Sequence, residues 1–306
     1  MSITMPGPGT AGVRDAASIA GWAEHPTRVG FFTDTTVCIG CKACEVACKE
    51  WNDVPEDGLN WLGSSYDHTG ELGASTWRHV AFIEQRRPLG GQEAHQERRA
   101  AGTAAPGIPA PSERDHEHGF RWLMSSDVCK HCTSAACLDV CPTGALFRTE
   151  FGTVVVQEDV CNGCGYCVPA CPFGVIDLRE GDGRAWKCTL CYDRLKGGFE
   201  PACAQACPTD SIQFGELDEL VARANRRVSQ LHDQGVHEAY LYGADQDDGV
   251  GGFGAFFLLV DDPEVYRFPP DPVVTTRDLK SMWANAAKAA GAFAAVAVAA
   301  FVGVRS

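Results

Sequence analysis

The chain has 306 residues, enough for two small domains and an appendage, each with its own core. Lys plus Arg at 26 against Asp plus Glu at 40 gives a formal charge of −14, which argues against nucleic-acid binding because an acidic surface repels phosphate backbones. Its sixteen cysteines all fall between Cys38 and Cys207 in tight groups, unlike the disulfide framework of a short secreted protein.

Residues 1–30 read as a mobile or wrapping tail, with Pro and Gly early and no clear period. The opening MSITMPGPGTAGVRDAASIAGWAEH lacks the basic start and apolar run of a secretory signal, so none is expected. A first cysteine-bearing module is expected over 31–84, completed by 186–215. Its first group is Cys38, Cys41, Cys44 and Cys48, spaced C-x2-C-x2-C-x3-C. STWRHVAFIE (Ser75–Glu84) reads as a strand. Residues 85–119, rich in charge, Gly, Ala and Pro, read as a flexible insertion, and the HEH at His116–His118 as part of a solvated loop rather than a metal site.

The strand FRWLM (Phe120–Met124) opens a second module, expected over 120–185. Its groups are Cys129, Cys132, Cys137, Cys141, with a wider middle gap, and Cys161, Cys164, Cys167, Cys171, which repeat the first spacing. His131, between two of these cysteines, is expected to pack or hydrogen-bond beside whatever they hold. ALFRTEFGTVVVQED reads as a hairpin turning near Phe151–Gly152, and VIDLREGDGRAWKC as a second turning near Asp182–Gly183. The last group is Cys188, Cys191, Cys203, Cys207, with eleven residues between its second and third members. Pro142, Pro172 and Pro208 follow the last cysteine of three groups, where group one has Lys49. CPTGALF, CPFGVID and CPTDSIQF form an internal repeat consistent with duplication.

Residues 216–280 read as a covering helix and strands. Leu217, Leu220, Val221, Ala224, Val228 and Leu231 keep helical spacing, with Gly235 as the stop. EAYLYG and AFFLLV read as strands. GVGGFG (Gly249–Gly254) satisfies G-x-G-x-x-G, but a buried strand follows it instead of a helix, so it reads as a glycine-rich turn and not a nucleotide site. Over 281–304 a single membrane-anchoring helix is expected. Ala289–Val304 carries no charge, and its sixteen residues span roughly 24 Å, short of a hydrocarbon core of about 30 Å. SMWANAAK lengthens it, with Lys288 snorkelling or facing a partner. A helix buried on a partner or on the chain itself is the alternative. Basic residues on both sides leave its orientation open.

The spacing C-x2-C-x2-C-x3-C-P is that of bacterial two-cluster ferredoxins. Three cysteines on a loop can grip three irons of one cubane, while the fourth, on a following helical turn, points to a second. Pro, lacking an N–H, ends that turn. Groups therefore work in pairs, and sixteen thiolates at four per cluster make four [4Fe–4S] clusters. Structural zinc is the competing reading, since four-cysteine zinc sites also use C-x2-C pairs. A third cysteine two residues on is redundant for zinc. The sequence has no C-x-x-C-H for covalent haem, and neither a Ser/His/Asp arrangement nor an HExxH motif stands out. The residues suit carrying electrons better than transforming a substrate.

Together, CIGCKACEVACKEWND, CNGCGYCVPACPFG, KCTLCYDRLKGGFEPACAQACPTDSIQFG, the GVGG and DDPEVYRFPPDP segments and the terminal apolar helix resemble the iron–sulfur (beta) subunit of membrane-bound respiratory formate dehydrogenases, from about Phe31 onward. The cysteine groups alone mark only the wider four-cluster family of molybdopterin oxidoreductase subunits, which also serves sulfoxide, thiosulfate and nitrate reductases and some hydrogenases. Nitrate reductase subunits typically carry Trp at one group-two cysteine; Cys137 is retained here. The insertion departs from the family.

The resemblance implies an α+β fold of two ferredoxin-like [4Fe–4S] modules with pseudo-twofold symmetry, the clusters in a line, and a C-terminal single transmembrane helix. It implies a first cluster on Cys38, Cys41, Cys44 and Cys207, and a second on Cys188, Cys191, Cys203 and Cys48. A third would sit on Cys129, Cys132, Cys137 and Cys171, and a fourth on Cys161, Cys164, Cys167 and Cys141. It also implies electron transfer from a formate-oxidising molybdenum- or tungsten-bis-pterin subunit to a membrane cytochrome b and quinone. An equivalent role in a sulfur-compound reductase or hydrogenase is the alternative. The implied location is the cell membrane, with the cluster domain on the extracytoplasmic face after folded export on a partner's twin-arginine signal; a cytoplasmic face is the other option.

Overall fold

The computed structural model describes residues 15–58, 62, 66, 67, 69–85, 121–274, 276, 277 and 279–303. A one-turn helix, α1 (Ala16–Ile19), starts at Asp15, whose carboxylate accepts the Ser18 N–H at 3.1 Å. The strand β1 (Val29–Asp34) and the helix α2 (Ala43–Asn52) follow. Next come β2 (Arg78–Gln85) and β3 (Arg121–Val128). A cysteine-rich middle holds α3 (Ala136–Asp139), β4 (Leu146–Arg148), β5 (Val154–Val156), α4 (Cys167–Ala170), β6 (Asp177–Leu178) and β7 (Ala185–Trp186). Two short helices, α5 (Tyr192–Lys196) and α6 (Ala202–Gln205), lead to β8 (Ile212–Glu216) and the long helix α7 (Leu217–Asp233). The chain closes with β9 (Tyr240–Tyr242), β10 (Ala255–Leu259), a 3-10 turn at Pro263–Tyr266 and α8 (Leu279–Gly303).

The main sheet runs β8-β1-β10-β9. β1 is parallel to β10, with Phe31 opposite Ala255, and antiparallel to β8. All five residues of β10, AFFLL, are buried, as expected of a strand covered on both faces. Successive side chains of β1 point to opposite faces, so Phe31 and Phe32 enter different cores. Phe32 packs with Phe256, Leu258 and the apolar stripe of α7, made by Leu217, Leu220, Ala224 and Leu231. Burial of each such large apolar side chain contributes roughly 1.5–3 kcal/mol. α7 ends just before Gly235, which has φ +88°. Gly249–Gly254 is a turn feeding β10 and opens no helix; Gly251 and Gly252 take φ of +75° and +80° there.

Phe31 faces the second core, with Cys44, Cys48, Trp77, Val80, Cys188 and Leu190. A third core gathers Ala135, Leu146, Val154, Cys167, Ile176 and Ala185 beneath the hairpins β4–β5 and β6–β7. Those hairpins turn where the sequence indicates, at Gly152 (φ +77°) and Gly183 (φ +67°). The strand expected from Ser75 begins only at Arg78, because Gly73 and Thr76 close a tight turn first. β2 and β3 pair antiparallel from Arg78–Val128 to Gln85–Arg121, so the strands flanking residues 86–120 form one ladder. Apart from Gln85, the expected insertion over 85–119, including His116–His118, lies outside the described residues, as do residues 1–14.

The described part of the amino-terminal segment is docked. The Trp22 indole donates to Arg148 O at 2.9 Å, and Arg28 donates to Thr133 Oγ1 at 2.8 Å. α8 behaves oppositely: Trp283, Phe293, Val296 and Phe301 are all exposed. Ser281–Phe301 is long and apolar enough to cross a membrane, at about 1.5 Å per residue.

Candidate metal centres

In every cysteine group the closing C-x3-C sits on or beside a short helix. Cys44 and Cys48 are buried on α2; Cys137 and Cys141 belong to α3 and its end, Cys167 and Cys171 to α4, and Cys203 and Cys207 to α6. Four residues of helix rise about 6 Å, so the second thiol of each pair is carried one turn beyond the first. Upstream, tight loops turn the other thiols inward. Gly40, between Cys38 and Cys41, has φ +65°, and Lys42 also lies in the left-handed region. A Cβ on Gly40 would meet Met124 Sδ at 2.6 Å and the Phe82 ring at 2.7 Å, so only glycine fits.

The thiols converge in four sets. Cys38, Cys41, Cys44 and Cys207 line one cavity with Ser126 and Ser211. Cys129, Cys132, Cys137 and Cys171 line a second with Lys130, His131 and Lys187. Cys141, Cys161, Cys164 and Cys167 line a third. Cys48, Cys188 and Cys203 lie in the second core, and Asn52 Nδ2 reaches both Cys48 Sγ at 3.8 Å and Cys191 Sγ at 3.7 Å. All sixteen are free cysteines.

Electrostatics gives the order of the sets. Burial pushes the Cys44 thiol up to about 11, and negative charge on Cys203 adds to the rise. Burial and then Cys129 raise Cys188 to about 12, and Cys137 rises to about 12 with burial the main cause and Cys167 among the others. Each link sets one group beside another: the Cys44 set beside that of Cys203, that of Cys188 beside that of Cys129, and that of Cys137 beside that of Cys167. Exposure follows the same order. Only Cys41 and Cys164 are exposed, one in each end set, while no thiol of the two middle sets is exposed.

Cys141 is the exception in acidity. Burial works upward, but N–H groups of Leu146, Thr143 and Ala145 and the Thr143 hydroxyl outweigh it and hold this thiol below the usual value. Backbone donors reach other sulfurs too: Ala185 N–H to Cys161 Sγ at 3.4 Å, and Leu190 N–H to Cys188 Sγ at 3.3 Å.

Buried cations surround the sets, and the sequence reading missed them. Arg28, Arg78, Lys130, Arg148 and Lys187 are all buried. Arg78 Nη2 donates to Cys203 Sγ at 3.2 Å, and Arg148 Nη2 to Cys132 O at 2.9 Å. Lys187 caps Val154 O and Cys188 O, and Lys130 pairs with Asp127 while sitting 4.4 Å from the Phe268 ring centroid. Burial, then Arg148, holds Arg28 down to about 9. Their placement beside Cys129 and Cys188 in sequence was a usable signal for Lys130 and Lys187.

His131 is fully buried with φ +44°. Burial, then nearby cations, holds its imidazole well below the ordinary value, so it is neutral. Its Nδ1 accepts the Val154 N–H at 3.1 Å, which puts the ring proton on Nε2.

These residues fit an anionic sulfur cluster. Each set offers four thiols around a shared space, and basic groups offset the charge of thiolates in a dry interior. The Nε of Arg78 and the Nε2 of His131 are buried donors without a hydrogen-bond partner among the described residues, which sulfide acceptors can satisfy.

Comparison with known proteins agrees. The family described as "4Fe-4S dicluster domain" matches residues 37–145, and a second family with the same description matches 120–217. The nitrate-inducible formate dehydrogenase iron–sulfur subunit of Escherichia coli K12 is 35% identical over 269 residues, 87% of this chain and 80% of that protein. The formate dehydrogenase iron–sulfur subunit of Haemophilus influenzae is 35% identical over 276 residues, 89% and 77% of the two proteins. A subunit of the anaerobic dimethyl sulfoxide reductase of E. coli K12 is 35% identical over 195 residues, 63% of this chain and 76% of the relative. With both dicluster domains in place and similarity running through nearly its whole length, the chain belongs to the family of formate dehydrogenase iron–sulfur subunits.

Proposed function

We propose that this subunit carries four [4Fe–4S] clusters and passes electrons, one at a time, from a formate-oxidising molybdenum- or tungsten-bis-pterin subunit to a membrane cytochrome b and quinone. The ligand sets are Cys38, Cys41, Cys44, Cys207; Cys48, Cys188, Cys191, Cys203; Cys129, Cys132, Cys137, Cys171; and Cys141, Cys161, Cys164, Cys167. Each cluster supplies reversible one-electron storage. The protein fixes the spacing, excludes water and sets each potential through burial, N–H···S bonds and nearby charge. The observation that carries this reading is the convergence of the sixteen thiols in four adjoining sets, with the two exposed cysteines, Cys41 and Cys164, in the first and last of them. A relay needs accessible termini and an insulated middle. We also assign 31–84 with 186–215 to one module and 120–185 to the other, and α8 to a membrane anchor that holds the cluster domain on the extracytoplasmic face.

The test is quinone reduction by formate in membranes carrying the complex. Wild type reduces quinone; Cys188→Ser, which breaks a middle set, stops it while leaving formate oxidation by a dye at the catalytic subunit. Equal quinone reduction in the variant contradicts the relay. The likeness to the dimethyl sulfoxide reductase subunit favours a second reading, with a sulfoxide-reducing partner. Cluster oxidation by dimethyl sulfoxide, without any reduction by formate, would establish that one instead.

A further inference from the structure

The first two thiol sets are joined by a pair of side chains that no ligand assignment includes. Arg78 opens β2 and Ser126 lies across the ladder on β3, where Ser126 is opposite Val80. Both are buried, at 2% and 1% exposure. Arg78 Nη2 donates to Cys203 Sγ at 3.2 Å. Its Nη1 donates to Ser126 O at 3.2 Å and to Ser126 Oγ at 3.3 Å. Ser126 Oγ lies 3.3 Å from Cys44 Sγ.

The direction of these bonds is fixed. Guanidinium has no acceptor, so Ser126 Oγ accepts from Arg78. A ligating thiolate can only accept, so the serine O–H donates to Cys44 Sγ. One positive charge therefore reaches Cys203 directly and Cys44 through one hydroxyl, linking α6 of one set to α2 of the other. The Phe31 ring, with its centroid 4.9 Å from the guanidinium carbon, covers the charge and keeps water away.

Resting on the ligand sets proposed above, we propose that Arg78 and Ser126 are positioning residues forming a charged hydrogen-bond bridge that raises the reduction potentials of the two clusters held by Cys44 and Cys203 together. A reduced cluster carries one more negative charge than its oxidised form, so a buried cation and N–H···S or O–H···S donors favour the reduced state. Arg78 acts on both clusters and Ser126 on one. The bridge thus moves both clusters in the same direction, and the other two clusters lie outside it.

The experiment is a redox titration followed by electron paramagnetic resonance on the intact complex, with iron and acid-labile sulfide measured on each sample. In Arg78→Gln, two of the chain's midpoints fall, each by at least tenfold in the reduction equilibrium, about 59 mV for a one-electron couple. Arg78→Lys, which keeps the charge, returns both toward wild type. Ser126→Ala lowers only one of the same two. Arg78→Gln with full iron and sulfide and four unmoved midpoints, or with all midpoints moved equally, overturns the proposal. If Arg78→Gln fails to assemble, Ser126→Ala decides: no midpoint moved overturns the proposal. Wild-type iron and sulfide too low for four clusters would overturn the ligand sets instead, a separate outcome read before any variant is made.

Discussion

Gly163 lies between Cys161 and Cys164 at φ +70°, and a Cβ there would sit 2.2 Å from the Gly183 carbonyl oxygen, a backbone atom in the neighbouring turn. Gly163→Ala should therefore cost about 1–3 kcal/mol through left-handed strain and the clash. It should deplete the iron of that one set, measurable as a lower melting temperature with partial iron loss. The raised thiols give a second expectation. Their stability contribution in the iron-free fold is fully present below the unfolded value of 9.0 and is lost as pH rises through about 11 for Cys44 and about 12 for Cys137 and Cys188. The unfolded chain sheds these protons first, so denaturant unfolding of iron-free protein should weaken from about pH 9 upward. Cluster loading must expel the same protons, so the loaded protein should show a flatter profile there. The dicluster character of the cysteine groups was legible because residue identity and spacing are written in the sequence. Arg78 and Arg148 were not, because a charged residue in a sequence ordinarily marks a surface, and only the folded neighbours show that these two serve buried sulfur and carbonyl groups.

At the scale of elements, each short helix hands a thiol from its own loop to a neighbouring set. Cys44 and Cys48, four residues apart on α2, are the clearest pair: one lines the cavity with Cys38, and the other faces Cys188 and Cys203. Cys48→Ser is thus expected to remove or convert the cluster of Cys188, Cys191 and Cys203 and to leave the cluster of Cys38, Cys41 and Cys44 intact, as read by iron content and spectral component. Loss of the latter alone would refute the exchange. The two hairpins and α7 were readable in advance, since alternation, turn glycines and helical spacing are local signals. The parallel pairing of β1 with β10 was not, because nothing near FFTD names a partner so far along the chain. The start of β2 was misplaced for a local reason: the turn at Gly73–Thr76 takes up the first residues of the strand pattern.

For the whole molecule, the second and third cores hold buried thiols, and the two exposed cysteines, Cys41 and Cys164, belong to different sets. The chain carries a formal charge of −14, and against that acidic balance α8 exposes a long apolar face. Truncation after residue 278 should release the cluster domain from membranes washed free of partner subunits, with its clusters retained. Membrane retention of that truncated chain would assign the anchoring elsewhere. This scale was legible in outline, since the cysteine groups imply the dicluster domains and a charge-free run implies the terminal helix. The sequence did not show that β2 and β3, from the two expected modules, share one ladder, because the residues between them carry no pairing signal. The most direct measurement of the central claim is electron paramagnetic resonance of the complex, purified anaerobically through this chain, before and after adding formate. The account predicts reduced [4Fe–4S] signals that emerge with formate. Silence even with dithionite, together with zinc in place of iron and no acid-labile sulfide, would contradict it.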